Sequence, residues 1–530
     1  MADLSTLRGA VSLKDALGED DDILAQLRYP EQQKKFWASL VTRKADIEAL
    51  VRYHMGVDWC YICTTEVWGA GSFNVVLPVL IRGKVWGENE RVYVRFPLPY
   101  KVGEAEYKGN VEEKVRTEIA TYIWLQQNCS DVPIPKLHGF GLPDGTCFSH
   151  PDKTPLLQRT LWWLRRRLLA FFGYPVPSHY VRRRLQNSFD TGYMMFSEAK
   201  GRTLAYSWEK HRHDKAYRQK LFRGLARICV SMNRIPMPRI GSLIFDSMGV
   251  VSLSNRPLNM YFHIFENEGV PSGIPRQRTY SSIEPYISDW LAFHDNKLLY
   301  QPNAIHSQRD GEMQLAALTA LRATMHRFIR TEHRDGPFYY TLTDLHQSNI
   351  FVDEEWNIQT VIDLEWAYSH PLEMQLPPYW LTSKPVDAFN DAESVSELGA
   401  LFNEYFDIYE EEEMARNGAL LQGPVMRHVW ETGGFWYFHA VHVPKGMFRL
   451  FNVNIQPLFN KDHCRGSIFD QVFFWYWGSG AQELIEKKLK DKENYIARIK
   501  EAFGEDNTCT ETTTEGVEES EIRTTEGVSC

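Results

Sequence analysis

Residues 340–366 constrain the fold of this chain more than any other part of its sequence. Asp344 and Asn349 are spaced Asp-x-x-x-x-Asn, and Asn349 begins a short apolar run, Ile350–Val352. A polar turn follows, and a second apolar run ends at Asp363. Two such runs around a turn predict a β-hairpin, whose open ends lie side by side. We therefore expect Asp344, Asn349 and Asp363 to face one spot.

Two carboxylates and one carboxamide at a single spot have the chemistry of a magnesium and phosphate site. Their oxygen atoms are hard ligands, and three groups leave room for water and phosphate oxygens, which suits Mg²⁺. In phosphoryl-transfer sites, a loop aspartate orients the substrate hydroxyl, while an asparagine and a second aspartate hold the metal. The order and spacing of Asp344, Asn349 and Asp363 therefore favour phosphoryl transfer over a structural hairpin with solvated acids.

The same segment resembles the aminoglycoside phosphotransferase and choline kinase-like family, and in particular its fungal-type members. The resemblance lies in the runs LTDLHQSNIFVD, at 342–353, and IDLEWA, at 362–367. It implies a protein-kinase-like fold with ATP and Mg²⁺ as cofactors. By the same resemblance Asp344 is the catalytic base, Asn349 and Asp363 are metal ligands, and Glu365 assists. Many relatives have histidine at the first position of the longer run, where this chain has leucine, which weakens the expectation of catalysis.

A kinase-like site also needs a glycine turn between two strands, so that backbone amides can approach phosphates. The chain reads Trp-Gly-Ala-Gly-Ser-Phe-Asn between two predicted strands. This turn offers Gly69, Gly71 and Ser72 for nucleotide binding. The third glycine of protein kinases is replaced by Asn74, and glycine turns are common in hairpins, so the turn gains its weight from its position.

A cation on the next predicted strand and an acid on the following helix complete the phosphate-binding part of such a site. Arg95 occupies the strand position where protein kinases have lysine. Arginine keeps its charge and can bind phosphate through two nitrogens, although its reach differs. Lys101 is an alternative cation. Glu118 is expected to pair with the cation, and Glu112 and Glu113 are competitors for that role.

The apolar strand at residues 193–197 occupies the place of a hinge between two lobes. Its backbone near Ser197 and Glu198 is expected to hold the adenine of ATP, although the edge strand of any sheet has the same local pattern. Glycine turn, strand cation, helix glutamate, hinge and metal hairpin thus occur in the order that a kinase-like fold requires. Their co-occurrence is more informative than any one of them.

Hydrophobic periodicity divides the chain into a sheet-rich part and a helix-rich part, which predicts α+β architecture. With the resemblance, this becomes a two-lobed protein-kinase-like fold, with a small sheet-rich lobe at residues 23–200 and a large helical lobe at 201–503. Residues 1–22 are expected to form a flexible arm. Residues 504–530, rich in threonine and glutamate, are expected to be disordered. The predicted helices include 112–127, 204–234, 284–299 and 313–331.

Charge and composition exclude several classes of function. The formal net charge is −9, and residues 504–530 hold eight acids and one arginine, so the body of the chain is nearly neutral. Such a body is not expected to bind nucleic acid through bulk charge. No run of about 18 apolar residues occurs, the N-terminus lacks a signal-like pattern, and the cysteines are sparse. These features favour a cytoplasmic protein whose partners are a nucleotide and a small molecule.

Residues 159–184 contain seven arginines and no acid, within an insertion at about residues 150–188. Basic residues and tryptophan on an amphipathic helix can lie at an anionic membrane surface. The alternative is a helix packed on the small lobe with its arginines in solvent. Peripheral membrane contact through 159–184 therefore stays open beside the plainer interpretation.

Two functions remain as alternatives to a phosphotransferase that uses an alcohol group of a small molecule as acceptor. One is a catalytically weak or inactive pseudokinase that acts as a binding module. The other is a protein kinase, but no Ala-Pro-Glu signature follows Asp363, which counts against it. The motifs do not identify the acceptor.

Overall fold

The computed structural model describes residues 3–19, 21–82, 89–185, 189–460 and 468–504. It has mixed α+β architecture, with 53% helix and 16% strand, and the predicted order of a sheet-rich region followed by a mainly helical region is confirmed. Within these ranges, no helix combines the length and apolar character needed to cross a membrane. The predicted acidic tail lies outside the described residues, apart from its first residue.

The N-terminal region is built from strands and helices around a long buried helix, α4. Its spacing of Val115, Ile119 and Tyr122 predicted this helix, and all three residues are buried. The elements, in chain order, are β1 (Leu4–Thr6), β2 (Gly9–Val11), α1 (Leu13–Gly18), α2 (Ile23–Thr42), α3 (Lys44–Met55), β3 (Cys60–Ile62), β4 (Gly69–Ala70), β5 (Asn74–Arg82), β6 (Asn89–Pro97), α4 (Asn110–Asn128), β7 (Leu137–Gly141), β8 (Thr146–Ser149), α5 (Leu156–Phe171), β9 (Val181–Arg184) and β10 (Tyr193–Ser197).

An eight-stranded antiparallel sheet forms the centre of this region. Seven strands lie in the order β3-β5-β6-β10-β7-β8-β9, and β4 pairs with β5. The register matches Asn74 of β5 with Pro97 of β6, and Val76 with Arg95. On the other side, Arg95 is matched with Met194 of β10. Arg95 therefore lies in the interior of the sheet, with a paired strand on each side.

The C-terminal region is mainly helical. The helices predicted at 284–299 and 313–331 correspond to α9 and α10. Its elements are β11 (Arg202–Thr203), α6 (Trp208–His211), α7 (Lys215–Met232), β12 (Pro236–Met237), β13 (Ser242–Phe245), β14 (Val251–Asn255), α8 (Met260–Asn267), α9 (Ile283–Tyr300), α10 (Gln308–Thr324), β15 (Phe338–Leu342), β16 (Ile350–Val352), β17 (Ile358–Val361), β18 (Ala367–Pro371), α11 (Ala392–Asn417), α12 (Gln422–Glu431), α13 (Gly434–His442), α14 (Met447–Leu450), α15 (Gln456–Phe459), α16 (Ile468–Phe473) and α17 (Ala481–Ala502).

The single helix predicted for residues 204–234 is wrong. A 3₁₀ turn at Leu204–Tyr206 and the short α6 come first, and α7 begins after Asp214. The carboxylate of Asp214 accepts a hydrogen bond from the amide of Ala216, which satisfies one of the free amides at the start of the helix. The hydrophobic spacing is similar before and after this cap, so periodicity alone predicted one continuous helix.

Small antiparallel sheets occur inside the helical region, in the orders β11-β16-β17, β12-β15-β18 and β13-β14. The strands β12, β13, β14, β15 and β18 did not follow from periodicity. Each is short, and its partner is distant: Tyr339 of β15 pairs with Pro236 on one side and with His370 on the other. Pairing of this kind depends on tertiary contacts and leaves a weak local pattern.

The start of the chain, which was expected to be a flexible arm, contains two strands and a helix. β1 and β2 pair as a hairpin, and the hydroxyl of Ser12 caps α1 by accepting a hydrogen bond from the amide of Asp15. Ala16 is buried with Ile499 of α17 in a small apolar core. The arm is thus held by the far end of the chain, which local polarity could not indicate.

The hairpin predicted after Asn349 is present. β16 pairs with β17, with Ile350 matched to Val361. The backbone amide of Ile362 donates to the carbonyl of Asn349 at 3.0 Å, which extends the pairing to the open end. Asn349 and Asp363 therefore leave the hairpin next to each other.

Candidate active site

Arg95 lies at the centre of a buried ion-pair network. Only 6% of this residue is exposed. Its guanidinium forms an ion pair with Glu118 of α4, reaches Asp363 with an Nη1–Oδ1 distance of 2.6 Å, and lies 3.5 Å from Oε2 of Glu365. The expected pairing of Arg95 with Glu118 is present, and the same cation also touches the end of the β16–β17 hairpin.

The other candidates for the cation and the helix acid are engaged elsewhere. Lys101 lies 3.4 Å above the Tyr29 ring, Glu112 binds Arg116 at 2.7 Å, and Glu113 binds Arg256 at 2.9 Å. Of the five acids and cations weighed from the sequence, the structure therefore joins Arg95 and Glu118 to the hairpin.

Sequence reasoning missed a second buried cation, Lys114, one helical turn before Glu118. Its Nζ donates to Oδ1 of Asn74 at 2.6 Å and lies 3.3 Å from Oε1 of Glu365. The carboxamide of Asn74 in turn donates to Oε1 of Glu365 at 2.8 Å. The signal that could have revealed Lys114 is its (i, i+4) spacing with Glu118, which places both on one face of α4.

Asp344 and Asn349 are joined across the loop between β15 and β16. The Nδ2 group of Asn349 donates to the main-chain oxygen of Asp344 at 2.9 Å. The amide of Asn349 donates to the carbonyl of His346 at 2.9 Å, so the loop closes into a tight turn. The ring of His346 lies 3.7 Å from the carboxylate of Asp344, and burial lowers its pKa. The loop thus brings the side chains of Asp344, His346 and Asn349 close together.

Burial and neighbouring acids disfavour negative charge at Asp344. Burial, together with the carboxylates of Glu365 and Asp363, raises its pKa to about 8, and the hydrogen bond from Asn349 opposes this rise. Asp363 has a φ of 57°, in the left-handed region that is uncommon for residues other than glycine. Burial and Glu365 raise the pKa of Asp363, and Arg95 counteracts this rise. The carboxyl groups of the site therefore outnumber the cations that contact them, Arg95 and Lys114.

Glu365 and Lys114 stabilise each other's charge inside the protein. Burial opposes ionisation of Glu365, but Lys114 and Arg95 outweigh it and hold its pKa below the ordinary value. Burial lowers the pKa of Lys114 to about 8, and Glu365 counteracts that fall. Neither charge would persist here alone, because an unpaired buried charge costs several kcal/mol.

The glycine turn is a tight hairpin at one edge of the sheet. Gly69 pairs with Val76 across β4 and β5, and the amide of Gly71 donates to the carbonyl of Asn74 at 2.9 Å. A Cβ added to Gly71 would come no closer than 3.8 Å to its nearest neighbour, and one added to Gly69 no closer than 4.0 Å. Ser72 is exposed at the tip. The fold itself therefore does not require glycine at these two positions.

Hydrogen bonds within the protein occupy the side chains of the expected hinge. The amide of Ser197 donates to the carbonyl of Lys136, and its hydroxyl accepts from the amide of Lys136, both at 2.9 Å. The carboxylate of Glu198 accepts from Arg91 at 3.1 Å and from Tyr93 at 2.9 Å. These contacts hold the end of β10 against neighbouring segments.

A cleft of about 220 Å³ opens beside Asp344. Aromatic rings, imidazoles and prolines form nearly half of its lining, among them Tyr261, His370, Tyr379, Trp380, His439 and His442. Burial lowers the pKa of His370 to about 4 and that of His439 to about 3, so both rings are neutral at physiological pH. Among the described residues that line the cleft, Asp344 is the only acid, and lysine and arginine are absent.

The donor atoms around Asn349 and Asp363 fit a hard cation that also binds phosphate. Because Nδ2 of Asn349 faces Asp344, its Oδ1 is the atom left to act as a ligand, and no described residue donates to it. The described ranges contain no group of three or more histidine, cysteine, aspartate or glutamate side chains that could enclose a metal ion. A cation here would complete its shell with water and phosphate oxygens, which is the usual situation of Mg²⁺.

A scan of the chain against protein-family models gave no match, and a search of curated proteins gave none either. The chemistry of the site is therefore the evidence for its function. That chemistry comprises a buried cation shared by a helix acid and a hairpin acid, a loop with Asp344 and Asn349, and a neutral cleft beside them.

Proposed function

We propose that this chain is an ATP- and Mg²⁺-dependent phosphotransferase with a two-lobed kinase-like fold, similar to the aminoglycoside phosphotransferase and choline kinase-like family. It would move the γ-phosphate of ATP to a hydroxyl group of a small molecule. One observation carries the proposal: the buried guanidinium of Arg95 contacts Glu118 on one side and Asp363 on the other. A strand cation, a helix acid and a hairpin acid meet in this way at sites that bind nucleotide phosphates.

The positions of the surrounding residues support a division of roles. Asp344, which lines the neutral cleft, would orient the acceptor hydroxyl, and it would take the proton of that hydroxyl in the ionised form that a nearby Mg²⁺ favours. Arg95, held by Glu118, would supply positive charge beside the phosphate oxygens. The turn at Gly69 and Gly71 would bring main-chain amides up to the phosphates. Positioning and charge stabilisation supply most of the rate enhancement in sites of this kind.

Asn349 and Asp363 are the residues that would hold Mg²⁺. The bound ion would supply positive charge beside the phosphate oxygens. Asn349 is kept in orientation by its bond to the main chain of Asp344. Asp363 is kept in place by Arg95, which ties the hairpin to β6 of the sheet. This connection makes the position of the metal ligands depend on the sheet-rich region.

The acceptor that fits the cleft is an uncharged alcohol. A polycationic amino sugar would need several acids, and a phosphorylated acceptor would need lysine or arginine. Apart from Asp344, the described lining residues offer neither. Their neutral imidazoles, tyrosine hydroxyls and aromatic faces can instead hydrogen-bond and stack on a hydroxylated ring.

A catalytically weak pseudokinase that binds nucleotide is the rival function. It has one observation in its favour: Arg95 is already surrounded by the carboxylates of Glu118, Asp363 and Glu365. An ion-pair network in which the cation already contacts carboxylates of the protein can stabilise the fold without binding a ligand. Turnover, rather than binding, separates the two functions.

Thermal unfolding with ATP, in the presence and absence of Mg²⁺, tests nucleotide binding. We expect ATP to raise the melting temperature only when Mg²⁺ is present, and we expect Asp363→Asn to remove this effect. Glu354→Ala is the matched control, because Glu354 is an exposed acid in the turn of the same hairpin. The proposed metal site would be contradicted if ATP raised the melting temperature equally without Mg²⁺, or if the Asp363→Asn variant kept the Mg²⁺-dependent rise.

Turnover of ATP with a panel of acceptors tests the reaction and the acceptor class. The panel contains uncharged aromatic and alicyclic alcohols, amino sugars, choline and sugar phosphates. We expect phosphorylation within the uncharged group. Mg²⁺-dependent binding of ATP without transfer to any acceptor would favour the pseudokinase, and preferential transfer to an amino sugar would overturn the neutral acceptor while leaving the phosphotransferase in place.

A further inference from the structure

The helix α5 carries a row of exposed apolar side chains along its whole length. The exposed fractions are 72% for Leu157, 58% for Leu161, 47% for Leu164, 50% for Leu168 and 82% for Phe171. Their spacing of three and four residues places them on one face of a helix. At 1.5 Å per residue, the row from Leu157 to Phe171 spans roughly 21 Å. An apolar surface of this length on a folded protein marks a site that contacts another phase or partner.

The opposite face of α5 fixes the helix to the protein. Trp162 is buried, and its indole donates to the carbonyl of Ser178 at 3.1 Å. The Nε group of Arg166 donates to the carbonyl of Pro177 at 2.9 Å. With Trp162 held below, the leucine row is turned away from the body of the protein. The sequence offered a helix packed on the protein as the plainer interpretation. The helix does pack through this face, but its leucines remain exposed to solvent.

Arginines border the apolar row on both sides. At 100° per residue, Arg165 lies beyond one edge of the row and Arg167 beyond the other. Arg165 lies 5.3 Å from the Trp162 ring, and Arg167 lies 5.5 Å from the ring of the exposed Trp163. Long side chains in these positions can keep their charged ends level with polar groups while the leucines between them enter an apolar layer.

The basic charge of this segment is not neutralised by the protein. Residues 159–184 contain seven arginines and no acid. In the part of the chain that the structure describes, Arg159, Arg165 and Arg167 form no ion pair with an acid. The strand β9, which contacts α5, adds the exposed Arg182 and Arg184 at the edge of the sheet. Among the described residues, the surface around the leucine row therefore carries an excess of positive charge, which suits an external anionic partner.

We propose that α5 docks this protein on an anionic lipid bilayer, with its leucine row in the interface and its arginines among the lipid head groups. The proposal goes beyond the phosphotransferase and does not depend on it. A bilayer surface is the occupant that matches both features, because it offers a continuous apolar layer under a plane of negative charge. A helix-binding protein would instead present an acidic groove, and a second copy of α5 would bring its arginines against like charge.

Co-sedimentation of the full chain with vesicles tests the proposal. We expect binding to vesicles that contain phosphatidylserine to exceed binding to pure phosphatidylcholine vesicles by about tenfold or more, because each arginine adds attraction near an anionic surface. This preference should disappear in about 1 M NaCl, where charges are screened beyond about 3 Å. The double variant Arg165→Glu/Arg167→Glu should lose the preference.

Leucine variants separate insertion from attraction by charge alone. Leu164→Glu/Leu168→Glu changes exposed residues, so the variant should fold normally and lose about tenfold or more of its vesicle binding. Ile468→Glu is the matched control, because Ile468 is 73% exposed at a distant helix and should bind as wild type does. Equal binding by all variants, or no preference for phosphatidylserine in wild type, would overturn the proposal. Dimerisation without vesicles that the leucine variant abolishes would overturn it as well, since the row would then be an interface between two copies.

Discussion

Arg95 and Asp363 are 268 positions apart in the chain, and their side chains meet at 2.6 Å. This contact joins the middle of the eight-stranded sheet to the open end of the β16–β17 hairpin. Both sides of the site have to fold correctly for the contact to form. The stability of the protein and the position of the β16–β17 hairpin are therefore coupled through one guanidinium.

Replacing Arg95 with methionine should destabilise the protein by about 3–5 kcal/mol, because three carboxylates would remain near each other without their shared cation. Chemical denaturation of the variant and of wild type measures the loss. Arg91→Met is the control on the same strand: Arg91 forms an exposed ion pair with Glu198, and its removal should cost less than about 1 kcal/mol. Equal losses in the two variants would mean that the Arg95 network adds nothing to an ordinary surface pair.

Replacing Gly71 with alanine should leave stability unchanged and weaken ATP binding by about tenfold, because the methyl group would stand where phosphates approach backbone amides. The protein itself has room for it, since the nearest atom lies 3.8 Å from the added Cβ. Gly201→Ala is the contrasting variant. Gly201 has a φ of +89°, and its Cβ would come within 2.7 Å of the carbonyl oxygen of Val352, so we expect a loss of about 1–3 kcal/mol.

Isothermal titration with ATP and Mg²⁺, together with denaturation curves, measures both effects in each glycine variant. If the turn binds phosphate, Gly71→Ala should weaken ATP binding while the free energy of unfolding stays unchanged. If Gly71→Ala binds ATP as tightly as wild type, the glycine turn has no part in nucleotide binding.

The parts of the site that the sequence predicted correctly are local or ordered along the chain. The spacing of Asn349 and Asp363 around one turn was enough to predict their adjacency, because a hairpin brings its own ends together. The pairing of Arg95 with Glu118 was expected because a kinase-like site requires a cation on this strand and an acid on the following helix. In each of these cases the information lies within a few tens of residues.

The parts that were missed depend on contacts between distant segments. Asn74 binds Glu365 across 291 positions, and Lys114 enters the same network as a buried cation. The amide of Ile23 binds the hydroxyl of Tyr495 across 472 positions, which helps to fix the start of the chain. A polar residue that is buried among distant partners has the same local pattern as one in solvent, so the distant partners of Asn74 and Ile23 could not be predicted.

Replacing Asp344 with asparagine should lower turnover by about 10²–10⁴-fold, because the acceptor hydroxyl would lose the group that takes its proton. Asparagine keeps the shape of the loop, so Mg²⁺-dependent ATP binding should persist. Initial rates with an uncharged alcohol acceptor and thermal shifts with ATP measure the two properties on the same preparation. Unchanged turnover would show that Asp344 is not the base, and loss of ATP binding would show that it holds the nucleotide instead.

Glu268, at the C-terminal end of α8, should make the protein less stable as the pH rises. Burial raises its pKa from 4.5 to about 8, with Asp21 and Asp22 adding to the rise and Lys445 opposing it. Between these two values the folded state retains a proton that the unfolded state has released, so the free energy of unfolding falls with increasing pH. Glu268→Gln removes this dependence and should gain about 1–2 kcal/mol relative to wild type between about pH 5 and pH 8. Urea unfolding of both proteins across that range measures the difference, and a difference that stays constant with pH would refute the buried, protonated state of Glu268.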